Sequence, residues 1–492
     1  MLTAVVIVFI LGYVTIVFEH PLKLDKTVPA LIMGALCWAF VSLGGLDLVD
    51  HHGDTYATLH EQAIHTEDHS GQDHSTHQGE DHSNHGAELH PADGHDASHG
   101  KTDHMKNVLL HHIGKVAEIL IFLIGAMTIV ELIDLHRGFS VITNRIQTTS
   151  KRKMLWLICI LAFFLSATLD NLAATIVLVS LLRRLVPVRE ERLWFVALAV
   201  IGANAGGAWS PIGDVTTTML WIGGRVSTFG LIEWLVIPSI VCIVVPVIIA
   251  SFLPAFQGNI SASSHDHAAG REQEKLLSSR VMLFVGLGAL IFVPIFKSIT
   301  HLPPYVGMML SLGVVWLVSE YIHPEEDFTE ERKHLYSAHK ALSRIEMSSI
   351  LFFLGILVAV AALESIAVIG ASGDPVGLLK SVAESLQMAI PNQDIVIMIL
   401  GVLSAIIDNV PLVAASMGMY TEAMDAKLWH FIAYSAGTGG SMLIIGSAAG
   451  VAAMGMERID FIWYLRNITW LAFIGFLAGA GAFLGIYALL GG

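Results

Sequence analysis

The chain has 492 residues, of which 54% are hydrophobic and only 14% are Asp, Glu, Lys or Arg, and its formal net charge is −15. Soluble domains carry about a quarter charged residues, so this chain cannot cover a globular surface in water. Nucleic-acid binding, secretion and soluble enzymology are excluded at this step. The acidity is also local: between His51 and His112 stand eleven Asp or Glu and fifteen of the 24 histidines.

Apolar runs near 20 residues recur along the chain, each long enough to cross roughly 30 Å of hydrocarbon as a helix. Spans are expected near 2–18, 28–47, 113–135, 193–222, 230–253, 281–300, 304–322, 347–370, 429–455 and 461–489, ten in all. The first run, Leu2–Phe18, has no basic n-region and no small-residue cleavage site after it, so it reads as a retained helix. Cys37, Cys159 and Cys242 stand alone inside apolar runs and predict neither a disulfide framework nor a Cys-based zinc site.

Basic residues mark cytoplasmic loops. Lys23 and Lys26 follow the first span, which places the N-terminus and the His-rich loop outside. The third span then leads to a basic stretch with Arg137, Arg145, Lys151, Arg152 and Lys153. Segment 154–182 is followed by a second basic stretch, Arg183, Arg184, Arg189 and Arg192. Basic flanks on both sides predict that the segment dips in and returns. Its middle, Ser166-Ala-Thr-Leu-Asp170-Asn171, divides it into two short arms, giving a re-entrant hairpin with Asp170 and Asn171 at its tip. The alternative is a full helix with one buried Asp.

The pattern returns in the second half, where 394–420 contains Ser404-Ala-Ile-Ile-Asp408-Asn409 followed by the helix-breaking Pro411. Each hairpin precedes a glycine-interrupted span, Gly202 to Gly213 in the first half and Gly437 to Gly446 in the second. Aligning their Gly-Gly pairs also superposes Gly213 on Gly446. The expected fold is therefore an all-α polytopic membrane protein of two inverted-topology repeats, about ten transmembrane helices plus two re-entrant hairpins, with broken helices at the midplane. Its parts are 1–48 (the first two spans), 49–112 (the extracytoplasmic His/Asp-rich loop), 113–253 (the rest of repeat 1), 254–280 (a cytoplasmic linker holding His265 and His267) and 281–490 (repeat 2). The charged stretch His323–Arg344 reads as a solvated amphipathic segment or linker without a chemical role.

Ionisable residues at membrane depth are costly and usually functional. Here they are Glu131, Asp134, Asp170, Asp214, Glu364 and Asp408, all acids, with no Lys or Arg mid-span; Lys297 and Arg225 sit at span ends. Such carboxylates bind a cation or a proton. Asp170, Asn171, Asp408 and Asn409 supply hard oxygen ligands, and Asn204, Ser210, Thr438 and Ser441 at the breaks could complete a shell suited to Na⁺ or Li⁺. A desolvated carboxylate also holds a proton readily, so protons and Na⁺ would compete for the same oxygens. Asp214 can alternatively be read as a helix cap, and Glu131 and Glu364 as interfacial residues. His111 and Glu118, seven apart on one helical face, are candidates for a proton pathway with Glu131 and Glu364.

Phe122 to Asp134 (FLIGAMTIVELID), Ser166-Ala-Thr-Leu-Asp170-Asn171 and Asn204-Ala-Gly-Gly-Ala-Trp-Ser-Pro-Ile-Gly-Asp214-Val-Thr216 resemble the NhaD family of Na⁺/H⁺ antiporters, of the ion transporter superfamily that also holds arsenite permeases and dicarboxylate symporters. The resemblance covers nearly all of 105–490. It implies a homodimer in a bacterial inner membrane, working by elevator-type movement of a transport domain. It further implies that Asp170, Asn171, Asp408 and Asn409 are essential, with His111, Glu118, Asn204, Asp214 and Glu364 as further polar positions. The dicarboxylate relatives carry Ser-Asn-Thr at the hairpin tips where this chain has Asp-Asn, a departure that agrees with cation transport.

The loop Asp50–Asp103 lies outside that pattern. His69, His74, His77, His82 and His85 recur among acids, Ser and Gly, a composition that suits weak binding of Zn²⁺, Ni²⁺ or Cu²⁺. The plain alternative is an acidic tether that gains positive charge below about pH 6.5. The sequence reading is Na⁺(Li⁺)/H⁺ antiport in the lipid bilayer, without a resident cofactor or enzymatic step. A divalent metal exporter and an arsenite or organic-anion exporter are alternatives within transport. An intramembrane aspartyl protease would need a Gly-x-Gly-Asp motif, whereas Asp214 follows Pro-Ile-Gly. A metal-sensing receptor would leave the repeated broken helices unexplained.

Overall fold

The computed structural model describes residues 1–17, 22, 24–49, 94–143, 146, 148–260, 278–322, 338–370 and 373–490. The expectations for His69, His74, His77, His82, His85, His265 and His267 lie outside these residues. In chain order the helices are α1 (Leu2–Val17), α2 (Thr27–Leu43), α3 (Gly94–Leu135), α4 (Ser140–Thr143), α5 (Lys151–Leu169), α6 (Asn171–Leu185), α7 (Arg189–Gly207), α8 (Val215–Ile222), α9 (Thr228–Ala250), α10 (Ser278–Thr300), α11 (Pro304–Tyr321), α12 (Ala338–Leu342) and α13 (Met347–Ser365). After the strands β1 (Ala367–Ile369) and β2 (Pro375–Gly377) come α14 (Leu378–Ala389), α15 (Gln393–Leu403), α16 (Asn409–Met419), α17 (Lys427–Gly439), α18 (Ala448–Glu457), α19 (Phe461–Asn467) and α20 (Thr469–Leu490).

Among the described residues six helices are long and apolar enough to cross a membrane: the 101–135 part of α3, then α5, α9, α10, α13 and α20. Side chains such as Phe229, Phe252, Phe284 and Leu489 are more than 60% exposed on them or at their ends, as lipid-facing positions are. The protein is a multi-pass, overwhelmingly helical membrane protein. The expected spans at 193–222 and 429–455 are broken, into α7 with α8 and α17 with α18. Those at 2–18 and 28–47 form helices of 16 and 17 residues. The first arm of hairpin 154–182 is longer than its sequence suggested: α5 has 19 residues and qualifies by length as a span. A short antiparallel β1–β2 pair, with Ala367 opposite Gly377, was not expected; β-branched Val368, Ile369 and Val376 suit it.

The chain forms two compact units. The first comprises 1–116, 354–389 and 418–420. In it α2 meets α13 backbone to backbone, because a Cβ on Gly34 would come within 2.7 Å of the Gly355 carbonyl oxygen. Small residues permit that approach between membrane helices. Trp38 Nε1 donates to the Val358 carbonyl at 2.9 Å, and beside β1 the Val49 amide donates to the Ser365 carbonyl and the Ala367 amide to that of Asp47.

The second unit comprises 117–353, 390–417 and 421–492 and contains both helix–break–helix pairs. Between α5 and α6 the break is the single residue Asp170, with φ 133° and ψ 166°. That region is essentially restricted to glycine and costs a side chain about 1–3 kcal/mol. Asp170 is held there as the N-cap of α6, its Oδ1 accepting the Ala173 amide at 2.7 Å. Between α15 and α16 the break takes residues 404–408, and Pro411 falls in the first turn of α16, where a missing amide hydrogen costs nothing.

The glycine-interrupted helices pack on these helix–break–helix pairs in the same way twice. A Cβ on Gly206 of α7 would collide with the Phe163 carbonyl of α5, and one on Gly439 of α17 with the Gly401 carbonyl of α15. Past the breaks, a Cβ on Gly213 would lie 2.9 Å from the Ser166 carbonyl oxygen, and one on Gly446 2.6 Å from that of Ala405. Beyond them Glu457, 3% exposed, accepts from Arg183 at 2.6 Å and Arg192 at 2.9 Å, tying the α6–α7 turn to the end of α18.

This packing sets the outcome of two sets of substitutions. Gly206→Ala and Gly439→Ala should each destabilise the protein by about 1–3 kcal/mol through overpacking, lowering the unfolding temperature in detergent. Gly288→Ala, where a Cβ meets nothing within 4 Å, should not lower it. At position 170 the order of stability should be glycine above the native aspartate above alanine. Asp170→Gly relieves the strain and loses a few tenths for the cap, a net gain of about 1 kcal/mol, whereas Asp170→Ala keeps the strain and loses about 1 kcal/mol of capping. An Asp170→Gly protein that unfolds below both the native chain and Asp170→Ala would show that the backbone at 170 is not strained.

Candidate cation site

The polar residues that interrupt the second unit converge on one carboxylate. Asp214 caps α8: its Oδ1 accepts the Thr216 amide at 2.9 Å and the Thr216 hydroxyl at 3.0 Å. Its Oδ2 accepts from Asn171 Nδ2 at 2.9 Å and Asn409 Nδ2 at 3.3 Å. Both asparagines open a helix directly after a break, so the two breaks meet on a single oxygen atom. Asn171 Nδ2 also reaches Asn204 Oδ1 at 3.2 Å, and Asn204 Nδ2 donates to the Ser441 and Ser447 hydroxyls, each at 2.9 Å. Every member of this cluster is buried.

Among the described residues no Lys or Arg donates to this cluster, yet it holds a carboxylate. Four helices, α6, α8, α16 and α18, begin at it, and each N-terminus presents the equivalent of about half a positive charge. Those dipoles, with four donated hydrogen bonds, replace the missing basic partner. What remains is an oxygen-rich set of one carboxylate, amide carbonyls and hydroxyls, the donor chemistry of a hard cation.

Asp170 and Asp408 flank this centre, each within electrostatic reach of Asp214. Asp408 is half-buried and its Oδ1 accepts the Val410 amide at 3.3 Å. Asp170 lines a cavity of about 660 Å³ together with Glu131, Asp134, Arg184, Arg344 and Glu346. The cavity therefore reaches Asp170, the residue before Asn171 of the buried cluster.

The remaining sequence candidates divide. Ser441 joins the cluster, whereas the Ser210 hydroxyl donates to the Ala167 carbonyl at 2.5 Å and that of Thr438 to the Tyr434 carbonyl at 2.6 Å. Glu131 and Asp134 line the cavity, and the expectation that no basic side chain offsets them is corrected: Arg344 lies 3.6 Å from Glu131 and 3.7 Å from Asp134. Arg344 closes the charged stretch to which the sequence reading gave no role. His111 and Glu364 belong to the first unit and Glu118 to the second, all half-buried. The sequence reading also passes over Ser447 and Thr216. Ser447 carries a legible signal: with Gly213 aligned on Gly446, it occupies the register of Asp214, and like Asp214 it caps the helix after the break.

Comparison with known proteins places this architecture. Residues 13–431 match the family described as CitMHS, citrate transporter. The chain is 47% identical over 388 residues to Sodium/proton antiporter 2 of Arabidopsis thaliana, covering 77% of this chain and 87% of that protein. It is likewise 47% identical over 385 residues to Sodium/proton antiporter 1 of the same plant, where the match covers 77% of this chain and 64% of the relative, just under two-thirds of its length. It is 30% identical over 400 residues to the Na(+)/H(+) antiporter NhaD of Vibrio parahaemolyticus, covering 76% of this chain and 91% of that protein. The chain belongs to the CitMHS transporter family and, within these relationships, to the NhaD-type sodium/proton antiporters.

Proposed function

We propose that the protein exchanges Na⁺, or Li⁺, for H⁺ across the bilayer, with Asp170, Asp214 and Asp408 as the groups that take up cation or proton in turn. The observation that carries this reading is the meeting of Asn171 and Asn409 on Asp214 Oδ2. One carboxylate is thereby shared by both halves, so a change in its occupancy is felt by both. When Na⁺ is bound, the carboxylates and the oxygens of Asn171, Asn204, Asn409, Ser441 and Ser447 would supply its shell. When Na⁺ leaves, a proton restores the neutrality of a desolvated carboxylate. Two ligands that exclude each other at one alternating site give antiport without further machinery.

In this reading α5–α6 and α15–α16 are re-entrant hairpins of two inverted repeats, divided as the sequence suggests into 1–48, 113–253 and 281–490 around the outer loop 49–112 and the linker 254–280. The repeated contacts of Gly206 with Phe163 and Gly439 with Gly401 support it. The N-terminus and His-rich loop lie outside a bacterial inner membrane. Elevator movement and a homodimer complete the reading on the family likeness alone, as do proton-pathway roles for Glu131, Glu364, Glu118 and His111. Ser210 and Thr438 then shape the backbone of the site.

Two experiments test it. In everted vesicles or proteoliposomes, Na⁺ should dissipate an imposed pH gradient, and Asp170→Asn and Asp408→Asn should each reduce this to the level of empty vesicles with normal membrane insertion. Full exchange by both variants refutes the site. A cysteine placed near Arg184 should react with impermeant thiol reagents from the cytoplasm alone, and one near Pro391 from outside alone. Reaction near Arg184 from outside would show that residues 154–182 cross, and the inverted arrangement would fall.

A further inference from the structure

The cavity beside Asp170 is guarded by an ion pair that is incomplete. Glu131 and Asp134 stand one turn apart on α3, and Arg344 reaches toward both from the turn between α12 and α13. Its Nε lies 3.6 Å from Glu131 Oε2 and its Nη1 3.7 Å from Asp134 Oδ2. Both distances exceed the hydrogen-bond range. A guanidinium committed to a carboxylate closes two short parallel bonds on it. This one faces two carboxylates and closes on neither, and Glu131 Oε2 is buried without a hydrogen bond. The Arg344 side chain is 43% exposed.

We propose that Arg344 sets the Na⁺ requirement of the entry path: a tethered cation that competes with the transported cation for the field of Glu131 and Asp134. The inference rests on the cation-exchange reading above and adds a residue to it. A Na⁺ ion that enters the cavity on its way to Asp170 meets two carboxylates whose charge is already half-answered by a guanidinium. Because the pairing is loose, the ion can displace Arg344. Because Arg344 is tethered, it returns once the ion has moved inward, and the ion is not trapped at the mouth. Arg344 thereby raises the Na⁺ concentration needed for entry from this face. Arg137, Arg184, Lys340 and Glu346 also line the cavity. They set its background field, and Arg344 is the cation whose guanidinium stands within 4 Å of both carboxylates.

The test reads the half-saturating Na⁺ concentration of exchange from the cavity side at fixed pH and ionic strength, with choline replacing Na⁺. Removing one unit charge beside the entry path should lower it by roughly three- to tenfold in Arg344→Gln, while Arg344→Lys stays within about twofold of the parent. The double variant Glu131→Gln with Asp134→Asn leaves the guanidinium unopposed and should raise it. It also keeps the proposal testable where Arg344→Gln does not fold. A half-saturating concentration that is unchanged or raised in Arg344→Gln, or unchanged in the double variant, overturns the proposal. Na⁺-dependent thermal protection of the purified protein should move in the same direction. That readout separates the two ideas: an unmutated protein without Na⁺-driven exchange sinks the functional reading, whereas the ranking of Na⁺ binding among the variants judges Arg344.

Discussion

Hydrocarbon offers no water to the end of a helix, and this protein begins or ends several helices at a buried cluster in its second unit. Each exposed amide or carbonyl there costs several kcal/mol unless the protein satisfies it. Asp214 is the solution on which the second unit turns. One of its oxygens closes the start of α8, and the other receives the asparagine that opens the helix after each break. Removing that carboxylate would leave Thr216, Asn171 and Asn409 with donors facing nothing. The close crossing of α7 on α5 and of α17 on α15, which a side chain at Gly206 or Gly439 would obstruct, packs these helices beside the starts of α6, α8 and α16 that share it.

That arrangement changes the electrostatic meaning of the buried acids. From the sequence alone, buried carboxylates without Lys or Arg demand a cation or a proton. In the structure Asp214 has four donated hydrogen bonds and the positive ends of helix dipoles, which reduce the cost of its buried charge without cancelling it. A site with this balance can release its cation, which a transporter must do once in every cycle. A lysine in the same place would neutralise the carboxylate permanently, and a bare carboxylate would hold whatever cation arrived first. Dipoles fixed in the fold lie between these extremes.

The sequence revealed what repeats. The two Ser-Ala-x-x-Asp-Asn motifs and the matched glycines located both helix–break–helix pairs and most of the buried cluster, because steric and polar demands at membrane depth leave few residue types able to meet them. It did not reveal what depends on distance through space. Asp214 reads equally well as a cap, and only the fold shows that its second oxygen joins Asn171 to Asn409. Arg344 lies more than 200 residues from Glu131, in a stretch whose mixed charges look like a solvated linker. The conformation of Asp170 is invisible too: nothing in the letters announces that an aspartate occupies backbone space that favours glycine. The β1–β2 pair is too short for an alternating pattern to stand out.

The two tips also differ in a way their shared motif conceals. The first half breaks its helix at one residue, with φ 133° at Asp170 beside an open cavity. The second spreads its break over five residues, 404–408, and Asp408 is not among the positive-φ residues. Two halves in identical conformations would offer their site equally to both faces, and a site open to both faces is a leak. On the proposed inverted-repeat reading, exchange requires that the halves differ at any moment. Strain of about 1–3 kcal/mol at one tip is of the size that the binding of a monovalent cation or a proton can offset. Strain that moved between the tips as Asp214 changed its occupant would keep the two end states close in energy, and near-equal end states are what rapid alternation requires.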